Sequence, residues 1–384
     1  MKTTPRIRSF LEGCSTMAFI VAVFVISRLC VMAGIFFGRK FIQSPAGLSY
    51  PADSHWWDAL VRWDAGRFLS IVTDGYAFVP DGQTYNISLF PFVPLSIRFF
   101  SGIMSVTPVV AGLLLSNLFF LCALLLLYRY TEECHREADA HLVVVLTAFF
   151  PLGVFYSSIY SESAFLFFSV LSFLMYSRGR YVLSAIGLLF LCTTRLAGLF
   201  VFAALAVSYL TNQVIVMKGK GRRIDRKALA RFIAWALLSV SGFAAFLVYQ
   251  EVALGYWDAF IRVQAGWNRH IGNFGGLLDE LTSPDPFRIM NIIPAAVTLA
   301  ISLRLLFLSA YRTHALWGIL SVAIPLSTGS FISMTRLTMV FFPMLIYLAS
   351  LMKGHPLLRD AGLSLSLSGL VILTSLFVRM YFLG

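Results

Sequence analysis

Residues 56–76 read WWDALVRWDAGRFLSIVTDGY, an amphipathic stretch carrying ionisable residues inside a chain otherwise made of hydrophobic runs. On a helix turning about 100° per residue, Trp56, Trp57, Leu60, Val61, Trp63, Phe68 and Ile71 share one face, while Asp58, Arg62 and Ala65 share the other. Asp64 breaks the pattern by projecting from the apolar face between Leu60 and Trp57. An ionised carboxylate placed there loses hydration and requires a partner or a task. Two explanations stay open on this wheel alone: a local ion pair with Arg67 one turn on, or a functional carboxylate.

Composition bounds the rest. The chain has 384 residues, of which 59% are hydrophobic and only 12% charged, against about 25% charged in ordinary soluble domains. That combination describes an all-α polytopic integral membrane protein. The net charge of +12 fits cytoplasmic loops facing anionic membrane lipids, and no nucleic-acid motif accompanies it. Cys14, Cys30, Cys122 and Cys192 lie in or beside apolar runs and Cys134 in a polar connector, without metal-ligand spacing, so no disulfide is expected. The first apolar run, 16–38, is too long for a signal-peptide core and is expected to be retained as a span.

Lys2, Arg6 and Arg8 before that run favour a cytoplasmic start, which puts the following loop outside. This first outer loop, 39–107, holds the Trp-rich stretch, expected to lie as an interfacial helix along the membrane surface. The apolar run 87–105 contains Pro91, Pro94 and Arg98 and is barely long enough to cross; read as re-entrant, it leaves about 11 spans in a single domain, 1–384. These are 16–38, 108–128, 141–156, 163–176, 181–194, 196–212, 231–254, 288–310, 314–331, 337–352 and 361–382. The basic run Lys218, Lys220, Arg222, Arg223, Arg226, Lys227 and Arg231 then falls in the cytoplasm, as the positive-inside rule requires.

This topology carries the loop at Glu162, the turn at Arg195, the loop 255–287 and the turn at Arg336 to the same outer side as Asp64. Each arginine taken alone could simply snorkel to the interface. Two arginines converging with an aspartate and a glutamate argue for a polar cavity.

These residues carry a resemblance. Arg62-Trp63-Asp64-Ala65-Gly66-Arg67-Phe68-Leu69, then Asp74-Gly75-Tyr76 and Phe90-Pro91-Phe92-Val93-Pro94-Leu95, resembles the signature of the PIG-V family of the GPI mannosyltransferase 2 type and its prokaryotic relatives. Tyr160-Ser161-Glu162-Ser163, Thr194-Arg195-Leu196, Gln264 with Trp267 and Arg269, and Thr335-Arg336-Leu337 extend the likeness over about residues 56–350. The resemblance implies a GT-C type glycosyltransferase whose site faces away from the cytoplasm. It also implies a hexose donor, mannose first, carried on a polyprenyl phosphate, with the family's outer-loop acid matching Asp64. The compact chain favours a bacterial or archaeal plasma membrane; the endoplasmic reticulum is the counterpart if the source is eukaryotic.

The chemistry agrees. Glycosyl transfer to an alcohol requires a base for the hydroxyl proton and cations for the departing phosphate. Asp64 suits the base, and a single inverting displacement needs only one such carboxylate. Arg195, Arg269 and Arg336 are candidate phosphate clamps, with Arg62, Trp63, Arg67, Glu162, Gln264 and Trp267 as further substrate-binding candidates. Glu162 is open to two roles, orienting a sugar hydroxyl or pairing an arginine. No cofactor is expected and no metal ligand set is seen, although a divalent cation stays open as an accessory. The acceptor is a hydroxyl of a lipid, glycan or protein. The alternative is a multi-span transporter or flippase for a lipid-linked or small anionic substrate, against which stands the absence of a convincing internal repeat.

Overall fold

A computed structural model describes residues 5–47, 55–220, 226–282 and 286–384, and among them every regular element is helical. The helices are α1 (Pro5–Phe41), α2 (Asp64–Asp74), α3 (Phe92–Met104), α4 (Pro108–Cys134), α5 (Ala140–Ala148), α6 (Glu162–Ser177), α7 (Tyr181–Thr194) and α8 (Gly198–Lys220). They continue with α9 (Arg226–Leu254), α10 (Ala259–Arg262), α11 (Phe274–Thr282), α12 (Pro286–Leu305), α13 (Arg312–Leu326), α14 (Met334–Met339), α15 (Phe342–Met352) and α16 (Pro356–Val378). Within the predicted basic run, Arg222 and Arg223 lie outside the described residues.

Among the described residues, five helices are long and apolar enough to cross a bilayer: Gly13–Phe41, Pro108–Cys134, Arg226–Leu254, Arg288–Leu305 and Pro356–Val378. Large apolar side chains such as Phe99, Leu237, Val248 and Leu365 are exposed on the outside of the bundle. That distribution suits lipid as the solvent, and the protein is an integral membrane protein. The 13 residues of α3 reach about 20 Å at 1.5 Å per residue, short of a hydrocarbon core of about 30 Å.

Inside the bundle α4 packs on α5 and α6, α6 on α7, α7 on α9, and α12 on α13 and α14. Phe120, Leu124 and Leu127 of α4, Phe165 and Val170 of α6, and Leu188 and Leu191 of α7 are fully buried. The two ends of the chain meet where α1 packs on α16. Gly34 and Gly38, spaced as in a GxxxG motif, permit this approach: a Cβ on Gly38 would stand 2.5 Å from the Ser375 carbonyl oxygen. The Ser375 hydroxyl donates to the Gly34 carbonyl at 2.9 Å, the kind of polar tie that small residues allow between membrane helices.

Three sequence expectations change. The 56–76 stretch is not one helix: a 3₁₀ turn at Trp56–Leu60 ends before Val61, and α2 begins at Asp64. The helical phase is lost in between, so Arg62 and Ala65, assigned to the polar face, are buried. The predicted span 141–156 stops at Ala148, gives way to a 3₁₀ turn at Gly153–Tyr156, and helix resumes only at Glu162. Pro151 supplies a local reason, since it cannot donate to a continuing helix. The predicted span 337–352 is likewise divided, with α14 ending at Met339 and α15 starting at Phe342 with Pro343 in its first turn.

Candidate active site

The sequence places ionisable residues at the helix ends created by these breaks. Asp64 is the first residue of α2 and Glu162 the first of α6, where the positive end of the helix dipole favours a carboxylate. Arg195 caps the C-terminus of α7 and Arg336 lies in the last turn of α14, where a cation is favoured.

The fold brings the four together. Arg336 is central: its Nε donates to Glu162 Oε1 at 2.7 Å and its Nη1 to Asp64 Oδ2 at 2.6 Å. Arg195 Nη1 stands 3.2 Å from the same Glu162 oxygen. The Arg336 guanidinium also lies over the Tyr160 ring, 4.5 Å from its centroid, and 5.5 Å from that of Phe155. Burial alone would lower the Arg336 pKa, but the Glu162 and Asp64 carboxylates outweigh it and hold the group above its ordinary value. The Glu162 side chain has no exposure, whereas that of Asp64 retains 30%. Glu162 thus pairs with both arginines through Oε1.

Asp64 is presented by a strained turn. Trp63 has φ 53° and ψ −119°, a conformation that costs a bulky L-residue about 1–3 kcal/mol and persists only where its surroundings impose it. The Arg62 carbonyl closes the turn by accepting from the Ala65 amide at 3.1 Å. It also accepts from the Tyr160 hydroxyl at 3.0 Å, and that hydroxyl receives the Asp64 amide at 3.2 Å. On the other side the Arg62 guanidinium donates to Val378 and Asp58 carbonyls, while the Trp63 indole meets Phe382 edge to face. The tyrosine of the YSES motif is therefore the residue that sequence reasoning quoted but gave no role; a hydroxyl next to a suspected acid was its only signal.

The Asp64–Arg67 ion pair allowed by the helical wheel does not form. Arg67 instead donates to Thr84 Oγ1 at 3.0 Å and lies over the Trp267 ring. Arg269 donates to Gln264 Oε1 at 3.3 Å and to the Ile332 carbonyl at 2.6 Å. Both of its partners are neutral, and burial pulls its pKa below the ordinary arginine value.

Asp64 and Arg336 open on a cavity of about 1150 Å³. Arg195, Gln264, Trp267 and Arg269 line it as well, together with His270, Ser333 and Phe382, which the sequence did not single out. Arg62, Trp63, Arg67 and Glu162 stand behind the wall and do not line it. Four arginine side chains, the fourth being that of Arg262, face the cavity against one side-chain carboxylate. Phe68, Leu89, Phe90, Phe200, Phe243 and Leu247 make much of the remaining wall apolar. Among the described residues no cluster of His, Cys, Asp and Glu could hold a metal ion.

A family model described as Mannosyltransferase (PIG-V) matches residues 16–268. No curated protein matches the chain. Solved structures of an oligosaccharyltransferase from Archaeoglobus fulgidus resemble it: the apo form at TM-score 0.49 and 12% identity, and a form tethered to an acceptor peptide at 0.47 and 11%. A third, bound to an inhibitory peptide and a dolichol-phosphate, gives 0.45 and 13%. These alignments cover 94–95% of the present chain, which spans about half, 55–56%, of the archaeal one.

Proposed function

From the premise that this chain belongs to the mannosyltransferase (PIG-V) family, whose model covers more than half of it, we propose that it moves a hexose, mannose first, from a polyprenyl phosphate to an acceptor hydroxyl. The observation that carries this reading is Asp64, a carboxylate fixed by Arg336 on the wall of a large, partly apolar cavity whose other charged groups are arginines. Oδ2 is occupied by Arg336, so Oδ1 is the oxygen that receives the hydroxyl proton as the acceptor oxygen attacks the anomeric carbon. The bond from that carbon to the phosphate oxygen breaks in the same displacement, and its electrons leave with the phosphate. One carboxylate suffices for such an inverting step. The acceptor is a lipid, glycan or protein hydroxyl. The test is hexose release: purified protein given mannosyl polyprenyl phosphate and whole membranes, which supply lipid, glycan and protein hydroxyls, should consume the donor, and no consumption with any hexose overturns the reading.

Charge balance selects the phosphate clamp. Arg195 and Arg336 share Glu162 and Asp64, so their charge is compensated before a substrate enters. Arg269 reaches the cavity with only neutral groups as hydrogen-bond acceptors, Glu280 and Asp64 attracting it from a longer range, and a cation without a direct ion pair in a poorly hydrated wall gains most from an incoming anion. Arg269→Ala should weaken binding of a polyprenyl-phosphate analogue by about tenfold or more, and Arg269→Lys should not restore it, because an ammonium does not reproduce the planar fork. Unchanged analogue binding in a folded Arg269→Ala protein would return the clamp to Arg195.

The cavity is assigned to the non-cytoplasmic face, with the basic run 218–231 on the cytoplasmic side, on the strength of the positive-inside rule. In intact cells carrying an otherwise cysteine-free protein, an impermeant thiol reagent should label Ile271→Cys, an exposed position on the cavity, and spare Lys227→Cys. The reverse pattern inverts the assigned topology.

A further inference from the structure

We infer that Arg28, near the middle of the long apolar helix Gly13–Phe41, is a positioning residue for the site: it fixes the broken segment between α5 and α6 and, through it, Glu162 and Arg336. The inference rests on the transferase reading for its kinetic consequence and on geometry alone for the rest.

An arginine at such a depth is costly unless it lines a site or satisfies polar groups there. Among the described residues, no carboxylate lies within ion-pairing distance of Arg28. Its Nε donates to Ser27 Oγ on its own helix at 3.3 Å, and its distant partners are Ser157 Oγ, 2.7 Å from Nη1, the Gly153 carbonyl, 3.4 Å from Nη1, and the Ala148 carbonyl, 3.3 Å from Nη2. The guanidinium lies 4.7 Å from the Phe120 ring centroid. The three distant acceptors belong to the stretch where helix is interrupted. α5 ends at Ala148; the Val145 and Thr147 carbonyls still accept from the Phe149 and Phe150 amides, whereas the Ala148 carbonyl accepts from Arg28, which supplies a donor that the ended helix does not. The planar fork of Arg28 reaches three points of this segment at once, a geometry that a lysine cannot copy.

The same segment also contacts the active-site helices. The Tyr156 ring stacks on Phe120 at 4.3 Å, and its hydroxyl donates to the carbonyl of Met339, the last residue of α14, at 3.2 Å. The Tyr156 carbonyl accepts from Ser163 Oγ at 3.0 Å, in the first turn of the helix that Glu162 begins. Tyr160, which bridges Arg62 and Asp64, leaves directly from this segment. A shift of residues 153–157 therefore displaces Glu162, Tyr160 and Arg336 together. Arg269, Gln264 and Trp267 hang on a different loop and on Ile332, so donor binding is largely spared. A misalignment near the reacting groups of about 1 Å is enough to cost about a hundredfold in rate.

The experiment uses the full chain in lipid nanodiscs, with steady-state hexose transfer from mannosyl polyprenyl phosphate and amide hydrogen exchange. Arg28→Lys should lower kcat about tenfold and Arg28→Met about a hundredfold, with the donor KM within about twofold. Ser157→Ala, which removes an acceptor and keeps the cation, should give a smaller loss of the same kind. Exchange should quicken over residues 149–163 and 334–340 in Arg28→Lys and stay unchanged in α9. In a Glu162→Gln background the effect of Arg28→Lys on kcat should largely vanish, because the two act through one alignment. Unchanged kcat per folded molecule, additive effects of the two substitutions, or unchanged exchange would each overturn the inference. Should the wild type transfer no hexose, the transferase reading fails by itself and the exchange pattern alone decides the role of Arg28.

Discussion

Asp64→Asn is expected to leave a folded protein that still binds a polyprenyl-phosphate analogue but turns over about a hundredfold more slowly or worse, the scale of a lost general base. The amide keeps the side chain's shape and can still accept from Arg336, so the cavity wall should stand. What disappears is the oxygen able to take a proton from the acceptor. Two controls separate this from loss of a structural ion pair. Asp58→Asn should be near normal, since Asp58 meets His55 outside the cavity lining. Arg67→Ala should not copy Asp64→Asn, because Arg67 is engaged with Thr84 and Trp267. Near-normal turnover by a well-folded Asp64→Asn enzyme at saturating donor and acceptor would sink the assignment. Glu162 would be a poor substitute, being without exposure and bound at Oε1 by two arginines.

Arg336→Met is expected to cause the largest loss of stability of any substitution at the site. It removes the shared partner of two carboxylates, one of which, Glu162, has no exposed surface. Breaking a buried pair from one side costs about 3–5 kcal/mol because the stranded charge is no longer compensated; Arg195 at 3.2 Å offsets part of it. Glu162→Gln should cost less, since it deletes the buried charge while preserving the side-chain shape. The double variant Arg336→Met/Glu162→Gln should then recover stability relative to Arg336→Met alone without recovering activity. Thermal inactivation in lipid, followed by the fraction that remains monodisperse, measures all three. An Arg336→Met protein as robust as the wild type, or a double variant less stable than either single one, contradicts the central role given to this guanidinium.

Such couplings were out of reach of periodicity. The wheel over 56–76 assumes a continuous helix, and the chain breaks that continuity at Val61–Trp63, where a strained backbone, held by Tyr160, Val378 and Phe382, overrides the local helical preference. The wheel's conclusion that Asp64 is exceptional survives, although the geometry it was drawn from does not. Its local candidate partner, Arg67, was wrong for the same reason. Charge alone marked Arg195, Arg269 and Arg336 as interesting, but could not rank them, because their compensation is set by contacts with residues far along the chain.

The sequence by itself determined that this is an all-helical membrane protein of the mannosyltransferase (PIG-V) family, and it singled out the RWD acid, because hydropathy and short motifs are written locally. Only the tertiary structure decided that Asp64 pairs with Arg336, 272 residues away, that Glu162 is sealed behind the wall, and that the direct hydrogen-bond acceptors of Arg269 at the cavity are neutral. Those outcomes depend on where broken helices come to rest against one another in lipid, where every freed backbone group and every buried charge must find its partner within the protein.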